Sequence, residues 1–228
     1  MNPELLRNIW LELTPRRMAL MVAVLVLIFF AAAVATGDDH GVVGSLFGSA
    51  QWLYYGLVVF WGSRNAALSV VGEIRDRTWD LQRLSSLGGG AMTVGKLFGS
   101  TIYNWFGGLI CLAVMTVSTL AHGGPGAAVI DIVYYIAIGL IAQAASLLAS
   151  LVAIRRRQSH SRFDIFLYQL VGLIAAVAVF FVWNAADPEG TLLKGKVSSD
   201  TVVWWSIAFE ARAFLLLSLA IFTGWTLL

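Results

Sequence analysis

The chain alternates between long apolar runs and short polar stretches over its 228 residues. A helix needs about 20 mostly apolar residues to cross a bilayer, because each residue rises ~1.5 Å through a hydrocarbon core of ~30 Å. Six runs of about that length are apolar on every face, unlike the surface helices of soluble proteins. They are approximately Met18–Thr36, Ala50–Val71, Leu97–Ala121, Ala127–Ile154, Asp164–Trp183 and Ala211–Leu228. The pattern predicts an all-α polytopic membrane protein, with six transmembrane helices in a single domain spanning residues 1–228.

The first run also resembles a secretory signal peptide. Arg16 and Arg17 precede it, and it ends in Ala33-Val34-Ala35, which is typical of a cleavage site. Its length of about 19 residues exceeds the ~7–15 of a signal sequence, and an amphipathic segment precedes it. We therefore expect the first run to be retained as a span.

The last run is the shortest and reaches the final residue of the sequence, Leu228. No basic residue follows it as a cytoplasmic anchor. Two interpretations remain open at this point: the sixth span is tilted little and only just crosses, or the natural protein continues beyond Leu228.

Composition agrees with a membrane location. Hydrophobic residues make up 59% of the chain and charged residues only 12%, whereas soluble domains carry roughly 25% charged residues. Lipid must therefore cover much of the surface. The single cysteine, Cys111, lies inside an apolar run, so the sequence offers no disulfide framework and indicates a packing role for the thiol.

The distribution of basic residues predicts the orientation. Twelve of the fifteen Lys and Arg residues lie before span one, around the segment between spans two and three, or between spans four and five. The loops 37–49 and 122–126 contain neither residue. By the positive-inside rule the basic segments, and with them the N-terminus, are cytoplasmic. The three arginines of Arg155–Arg157 also predict contact with anionic membrane lipid.

Residues 2–14, before the first span, have an amphipathic pattern. Asn2 and Pro3 favour a helix start, and Thr14-Pro15 ends the helix. We predict a helix in the plane of the membrane interface, with packing against a protein surface as the alternative. Its apolar face consists of Leu5, Leu6, Ile9, Trp10 and Leu13.

The segment of residues 72–95, between spans two and three, mixes both signs of charge with large apolar residues. The stretch Gly72–Lys96 reads GEIRDRTWDLQRLSSLGGGAMTVGK. A solvated helix does not need Trp79, Leu81 and Leu84, and most connections have only ~4–6 residues. The pattern favours a protein-contacting helix that the glycine run ends, followed by a second short helix into span three. A solvated loop with a charged helix is the alternative.

The layout resembles the permease subunits of type 2 ABC transporters, which are ATP-driven exporters. Those permeases begin with an amphipathic elbow helix, cross six times and carry a cytoplasmic coupling helix between spans two and three. The residues that match the coupling helix and the start of span three are Glu73, Thr78-Trp79-Asp80-Leu81, Leu84 and Gly95-Lys96-Leu97. The chain departs from the family at Arg77, which replaces a glycine, and at Leu87 with its three following glycines, where a proline is usual.

The resemblance implies that the coupling helix sits in a groove of a separate ATPase subunit. Trp79 and Leu81 would anchor it there, inside a charged rim that sets the register. The chain has no GxxxxGK[ST] phosphate loop, so the partner would bind ATP and Mg, and this chain would need no cofactor. The predicted contact residues are Glu73, Arg75, Asp76, Arg77, Thr78, Trp79, Asp80, Leu81, Arg83 and Leu84.

Charged residues inside spans are candidates for function, because inserting one costs about 2.5–3.5 kcal/mol. Arg64 lies near the cytoplasmic end of span two, where snorkelling of its side chain to the interface is the simplest explanation. Asp131 lies about one turn into span four, and it either pairs with a polar neighbour or lines a substrate path. Gln143 predicts a hydrogen bond to a neighbouring helix.

Small residues predict where helices approach closely. Gly107-Gly108 in span three and the Ala142-xxx-Ser146 spacing in span four are of this kind. Outside the membrane, residues 184–212 combine turn residues with Trp204, Trp205 and Phe209, which suit an interfacial aromatic belt. This segment resembles the short external helices that the family places before its last span.

Two other functional classes remain as alternatives. An intramembrane enzyme is disfavoured, because His40, His122 and His160 lie in three different loops and neither HExxH nor GxSxG occurs. Asp38-Asp39-His40 lacks the further ligands of a metal site, so no metal is predicted. A non-transporting membrane anchor or sensor for a cytoplasmic partner is the second alternative.

The sequence thus leads to one hypothesis with stated partners. The chain is expected to be the permease subunit of an ATP-driven ABC exporter, and not itself an enzyme. It would pair with a second copy of itself or a related permease, bind ATP-binding ABC subunits, contact membrane lipid and bind no nucleic acid. The expected location is the bacterial inner (cytoplasmic) membrane.

Overall fold

The structure is a computed structural model that describes residues 3–36, 39–75, 88–155, 162–186, 201–204 and 207–227. Nearly all of this part of the chain is helical. Its seven α-helices are α1 (Pro3–Glu12), α2 (Pro15–Thr36), α3 (Asp39–Tyr54), α4 (Gly62–Arg75), α5 (Gly89–Arg155), α6 (Arg162–Ala186) and α7 (Ala211–Leu227). A π-helical segment, Tyr55–Trp61, joins α3 to α4.

Five helical stretches are long and apolar enough to cross a membrane. They are Pro15–Thr36, Gly41–Ile74, Gly89–Ala121, Gly124–Ala153 and Asp164–Asn184, and they correspond to the first five predicted runs. The prediction of a helical fold with several helices long and apolar enough to cross a membrane is therefore confirmed. The sixth run forms α7, which has 17 residues and a shorter apolar stretch, Leu216–Trp225. The sixth crossing stays a prediction.

Helix α5 contains two spans that fold back on each other. The turn lies at Gly124, whose φ of 79° is in the region that favours glycine. Pro125 follows, in the first turn of the next helix, where its missing N–H costs nothing. We call Gly89–Ala121 the first arm of α5 and Gly124–Ala153 the second arm.

A short β-hairpin precedes α7. Strands β1 (Thr201–Trp204) and β2 (Ile207–Glu210) pair antiparallel, with Thr201 opposite Glu210 and Trp204 opposite Ile207. The prediction of a short external helix in this region is therefore wrong for these eight residues. β-Branched and aromatic residues, which favour strands, fill β1, and only two residues separate the strands.

The second arm of α5 is the centre of the bundle. Two thirds of its apolar window (67%) is buried, compared with 11% for α2 at the periphery. Around it pack the continuous helix Gly41–Ile74, the first arm and α6. The core between them contains Tyr54, Val58, Met115, Ile138 and Ile141.

Helix α1 packs against α5. Leu5, Leu6, Ile9 and Leu13 are only partly exposed, so the bundle covers some of the face that was assigned to the headgroups. Trp10 is 81% exposed and points away from the bundle. Pro3–Glu12 is helical, and the role of this helix as an elbow in the membrane interface stays a prediction.

The predicted coupling segment is only partly described. Helix α4 continues to Arg75, and α5 begins at Gly89. The second short helix expected before span three is continuous with that span. Residues 76–87, which include Trp79 and most of the predicted ATPase contacts, lie outside the described residues.

The orientation is testable with single cysteines. Gly126→Cys, at an exposed turn position, is expected to react with a membrane-impermeant maleimide on intact cells, whereas Gln158→Cys should react only after permeabilisation. A gel shift measures both. The wild type is the control, because Cys111 is fully buried and should stay unlabelled. The reverse labelling pattern would contradict the assigned orientation.

Candidate functional site

The middle of span two is the π-helical segment, Tyr55–Trp61, inside the apolar helix Gly41–Ile74. π-Helical turns are rare and occur frequently at functional sites. The N–H of Gly62 donates to the carbonyl oxygens of Leu57 and Val59, where the chain returns to α-helix. Carbonyl oxygens in this segment also accept hydrogen bonds from other helices.

Three amide side chains donate these hydrogen bonds, one from each of the neighbouring helical stretches. The bonds are Asn104 Nδ2 of the first arm to Leu57 O (2.9 Å), Gln143 Nε2 of the second arm to Val58 O (3.0 Å) and Gln169 Nε2 of α6 to Phe60 O (2.9 Å). All three amides are at most 3% exposed. We call these three side chains the amide cluster.

The oxygen atoms of two of these amides have partners as well. Asn65 Nδ2 donates to Asn104 Oδ1 at 2.9 Å, and Trp105 Nε1 donates to Gln143 Oε1 at 2.9 Å. A buried polar network that is satisfied in this way favours one arrangement of its helices, because any shift would leave unpaired groups at ~1–3 kcal/mol each. The amide cluster therefore sets the register of both arms and α6 against span two.

Small residues make these approaches possible. A β-carbon on Gly62 would lie 2.5 Å from Gln143 Nε2, and one on Gly139 would lie 2.7 Å from Val58 Cγ1. The predicted close packing at Gly107-Gly108 is confirmed against Leu57, Val58 and Tyr54. The predicted approach at Ala142 and Ser146 is confirmed against Gly172 of α6.

A tyrosine cluster lies at the first residue of the π-helical segment, where Gly41–Ile74 meets the second arm. Tyr54 OH donates to the carbonyl oxygen of Tyr135 at 2.6 Å, and the hydroxyls of Tyr55 and Tyr134 are 3.3 Å apart. The ring of Tyr134 also packs on Trp183 of α6, with 4.4 Å between centroids. The cluster is a second set of directional contacts among the same three helices.

Asp131 lies next to this cluster along the second arm and is 4% exposed. Thr119 Oγ1, on the first arm, donates to Asp131 Oδ2 at 2.7 Å. Of the two roles left open for Asp131, the polar partner is the one observed. The contact joins the two arms close to their turn at Gly124.

A polar cavity lies at the other end of the bundle, between α1, α4 and the first arm. Its volume is about 310 Å³. Lys96 Nζ forms an ion pair with Glu73 at its edge, and Lys96 is only 4% exposed. The pair joins α4 to α5 on either side of residues 76–87.

The structure therefore separates the predicted site residues into two groups. Glu73 lies in the last turns of α4 and pairs with Lys96, and Arg75 ends that helix. Arg64 is exposed on the surface of the bundle. The other predicted ATPase contacts lie outside the described residues: Asp76, Arg77, Thr78, Trp79, Asp80, Leu81, Arg83 and Leu84.

Sequence reasoning identified one member of the amide cluster and missed two. The hydrogen bond predicted for Gln143 is confirmed. Asn104 and Gln169 carried the same signal, an uncharged amide inside an apolar run. The π-helical segment has no such signal in its sequence, YGLVVFW. Among the described residues, no three His, Cys, Asp or Glu side chains come together to hold a metal ion.

Comparison with known proteins leaves the family open. No protein-family model matches the sequence, and neither the curated proteins nor the solved structures give a match. The geometry of the chain itself is therefore the basis for a functional proposal.

Gln143→Leu tests the amide cluster. The variant loses two hydrogen bonds and leaves Val58 O and Trp105 Nε1 without this partner, so the free energy of unfolding should fall by about 1–3 kcal/mol. Reversible unfolding in mixed micelles measures it. Gln51→Leu is the matched control, because Gln51 is also an amide inside an apolar helix but donates to a side chain, Tyr135 OH, and is only partly buried. Equal losses in the two variants would contradict the role given to Gln143.

Proposed function

We propose that this chain is the permease subunit of an ATP-driven ABC exporter. The observation that carries the proposal is the Glu73–Lys96 ion pair, which joins α4 to α5 at the base of the predicted coupling segment. A segment that receives force from an ATPase needs a rigid connection to the membrane domain. An ion pair with one partner 4% exposed supplies such a connection, because separating it would leave a buried charge at a cost of about 3–5 kcal/mol.

The continuous helix Gly41–Ile74 supports the same mechanism. It runs from Glu73, beside the predicted coupling segment, through the π-helical segment to the tyrosine cluster. A displacement at Arg75 would reach the amide cluster along one helix, without an intervening loop. The amide cluster would then pass it to both arms of α5 and to α6, since each of these donates a hydrogen bond to span two.

One face of span two is exposed and supports a dimer with a translocation path. Trp52 is 77% exposed, Phe60 49% and Trp61 57%, and Arg64 is exposed beside them. An arginine among aromatic side chains is costly to place against acyl chains. In the proposed permease this face meets a second copy or a related permease, and Arg64 faces the path between them.

In this proposal ATP and Mg are bound by two ATPase subunits on the cytoplasmic side. The chain itself supplies the membrane path and the mechanical connection. The N-terminus, residues 76–87 and residues 156–161 lie on the ATPase side, as the positive-inside rule predicts.

Co-purification in mild detergent tests the proposal. The wild type is expected to carry an ATPase subunit and to raise its turnover. Trp79→Ala combined with Asp80→Ala should abolish the stimulation while membrane insertion is unchanged, because an anchor and a rim charge are lost. Trp225→Ala is the matched control, since it removes a tryptophan that is 77% exposed on α7.

The outcomes distinguish the functional classes. Recovery of the protein without any ATPase, under conditions that preserve other membrane complexes, would contradict the permease proposal and favour the anchor or sensor alternative. Full stimulation by the Trp79 and Asp80 double variant would contradict the assigned coupling contact.

A further inference from the structure

The polar cavity has the volume of a small ligand site. Its size of about 310 Å³ falls at the lower end of the range for ligand pockets, roughly 300–1,000 Å³. Helices α1 and α4 and the first arm of α5 enclose it. A space of this size admits a head group or a small metabolite, but not the acyl chains of a lipid. The side chains that the argument uses are Arg7, Asn8, Glu12, Glu73, Lys96 and Tyr103.

The charges of the cavity leave one cation without a counter-charge. Lys96 forms an ion pair with Glu73, and Arg17, outside the cavity, forms one with Glu12 at 2.9 Å. Each carboxylate is therefore compensated by a cation. Arg7 makes no ion pair and no hydrogen bond with the residues that the structure describes. The cavity thus carries an uncompensated positive charge, which favours an anionic ligand.

Two neighbouring side chains of α1 offer unused N–H groups beside this charge. The guanidinium of Arg7 has five N–H donors in a planar fork, which matches the oxygens of a phosphate or a carboxylate. Asn8 also lines the cavity, and its amide makes no hydrogen bond within the described part of the chain. Gly99 of the first arm gives Asn8 its room, because a β-carbon there would collide with Asn8 Nδ2. The α1 wall therefore combines a free cation with free donors.

The excess of a single charge selects among phosphate groups. A phosphodiester has one negative charge and two unesterified oxygens, which can accept two parallel hydrogen bonds from the guanidinium of Arg7 and another from the amide of Asn8. A phosphate monoester carries about −1.5 to −2 at pH 7. That charge exceeds the one available, and the carboxylates of Glu12 and Glu73 would repel the surplus. The cavity therefore suits a phosphodiester better than a monoester.

The position of the cavity points to a lipid as the source of this group. Tyr103, in the cavity wall, donates a hydrogen bond to the carbonyl oxygen of Arg17 at 3.2 Å, close to the start of α2 at Pro15. Residues at the ends of spans lie at the level of the head groups. On α1, Trp10 is 81% exposed and Leu11 59% exposed, as expected of side chains that contact lipid at the interface. The phosphodiesters of membrane lipids are concentrated at this level.

We propose that the polar cavity binds the phosphodiester of an anionic phospholipid. The two unesterified oxygens lie on the guanidinium of Arg7, and Asn8 donates to one of them. A phosphoglycerol head group compensates the charge of Arg7. The head groups of ethanolamine and choline lipids bring their own cation, which would restore the excess of positive charge. The proposal does not depend on the transport function.

Native mass spectrometry of the full-length protein tests this. Phosphatidylglycerol, phosphatidylethanolamine and phosphatidylcholine with identical acyl chains are titrated separately onto delipidated protein. The first phosphatidylglycerol is expected to bind about tenfold more tightly than either zwitterionic lipid, because it alone compensates the charge of the site. Equal Kd values for the three lipids, or tighter binding of a zwitterionic lipid, would overturn the proposal.

Variants assign the preference to the cavity. Arg7→Gln should weaken the binding of the first phosphatidylglycerol about tenfold and remove its advantage over phosphatidylcholine. Asn8→Leu should weaken it about threefold, because one hydrogen bond is lost. Arg16→Gln is the matched control, because Arg16 is also an exposed arginine but does not line the cavity. The same loss in Arg16→Gln and Arg7→Gln would contradict the site, since general attraction of basic residues to anionic lipid would then explain the preference.

Soluble anions distinguish the source of the phosphate. Glycerophosphoglycerol has the phosphodiester and the charge of phosphatidylglycerol but no acyl chains, so it should displace the lipid only at concentrations far above the Kd of the lipid. Displacement at a concentration equal to that Kd would overturn the lipid assignment in favour of a free metabolite. Inorganic phosphate should displace the lipid less well than the diester, and the opposite order would contradict the selection for a single charge.

Discussion

Hydrogen bonds from three buried amides to the carbonyl oxygens of the π-helical segment hold span two against the rest of the bundle. The hydrophobic effect cannot position these helices, because lipid tails are as apolar as the side chains that would pack. Directional bonds and close packing decide the arrangement instead. Asn104, Gln143 and Gln169 supply the bonds from three helical stretches, and Gly62 allows one of them to approach. Small changes in this region therefore affect every central helix.

The continuous helix Gly41–Ile74 connects the two regions on which the proposed function depends. At one end Glu73 pairs with Lys96 beside the polar cavity, and beyond the amide cluster, toward the other end, Tyr54 bonds to the backbone of the second arm. A π-helical segment between them is a natural place for a change of helical register, because its backbone hydrogen bonds have poorer geometry than those of an α-helix. In an exporter, a register change there would alter the exposed face with Trp52 and Arg64.

Much of the architecture could be predicted from the sequence, because long apolar runs have few other structural solutions. Five helices long and apolar enough to cross a membrane, the helix α1 and the hydrogen bond of Gln143 followed from pattern and chemistry. The hairpin of β1 and β2 did not, because the family resemblance favoured a helix there over the strand preference of Thr201–Trp204. The π-helical segment was not predictable, since the side chains that donate to its carbonyl oxygens lie 47 to 109 positions away in the sequence.

The candidate sites, too, could be predicted from the sequence only in part. Asp131 could be recognised as unusual from the sequence, but only the structure supplied its partner, Thr119. The polar cavity combines Arg7 with Lys96 and Ser69, residues from three separate segments. Sequence alone could not bring them together, because the packing of α1 against the bundle, rather than its position in lipid, creates the enclosure.

Solid-state NMR of the protein in lipid bilayers tests the central role of the amide cluster most directly. Labelled Tyr55–Trp61 should show i to i+5 contacts in the wild type. In the triple variant Asn104→Leu, Gln143→Leu, Gln169→Leu the segment should return to the i to i+4 pattern of an α-helix, because the external donors are gone. Persistence of the i to i+5 pattern in that variant, or an α-helical pattern in the wild type, would contradict the account.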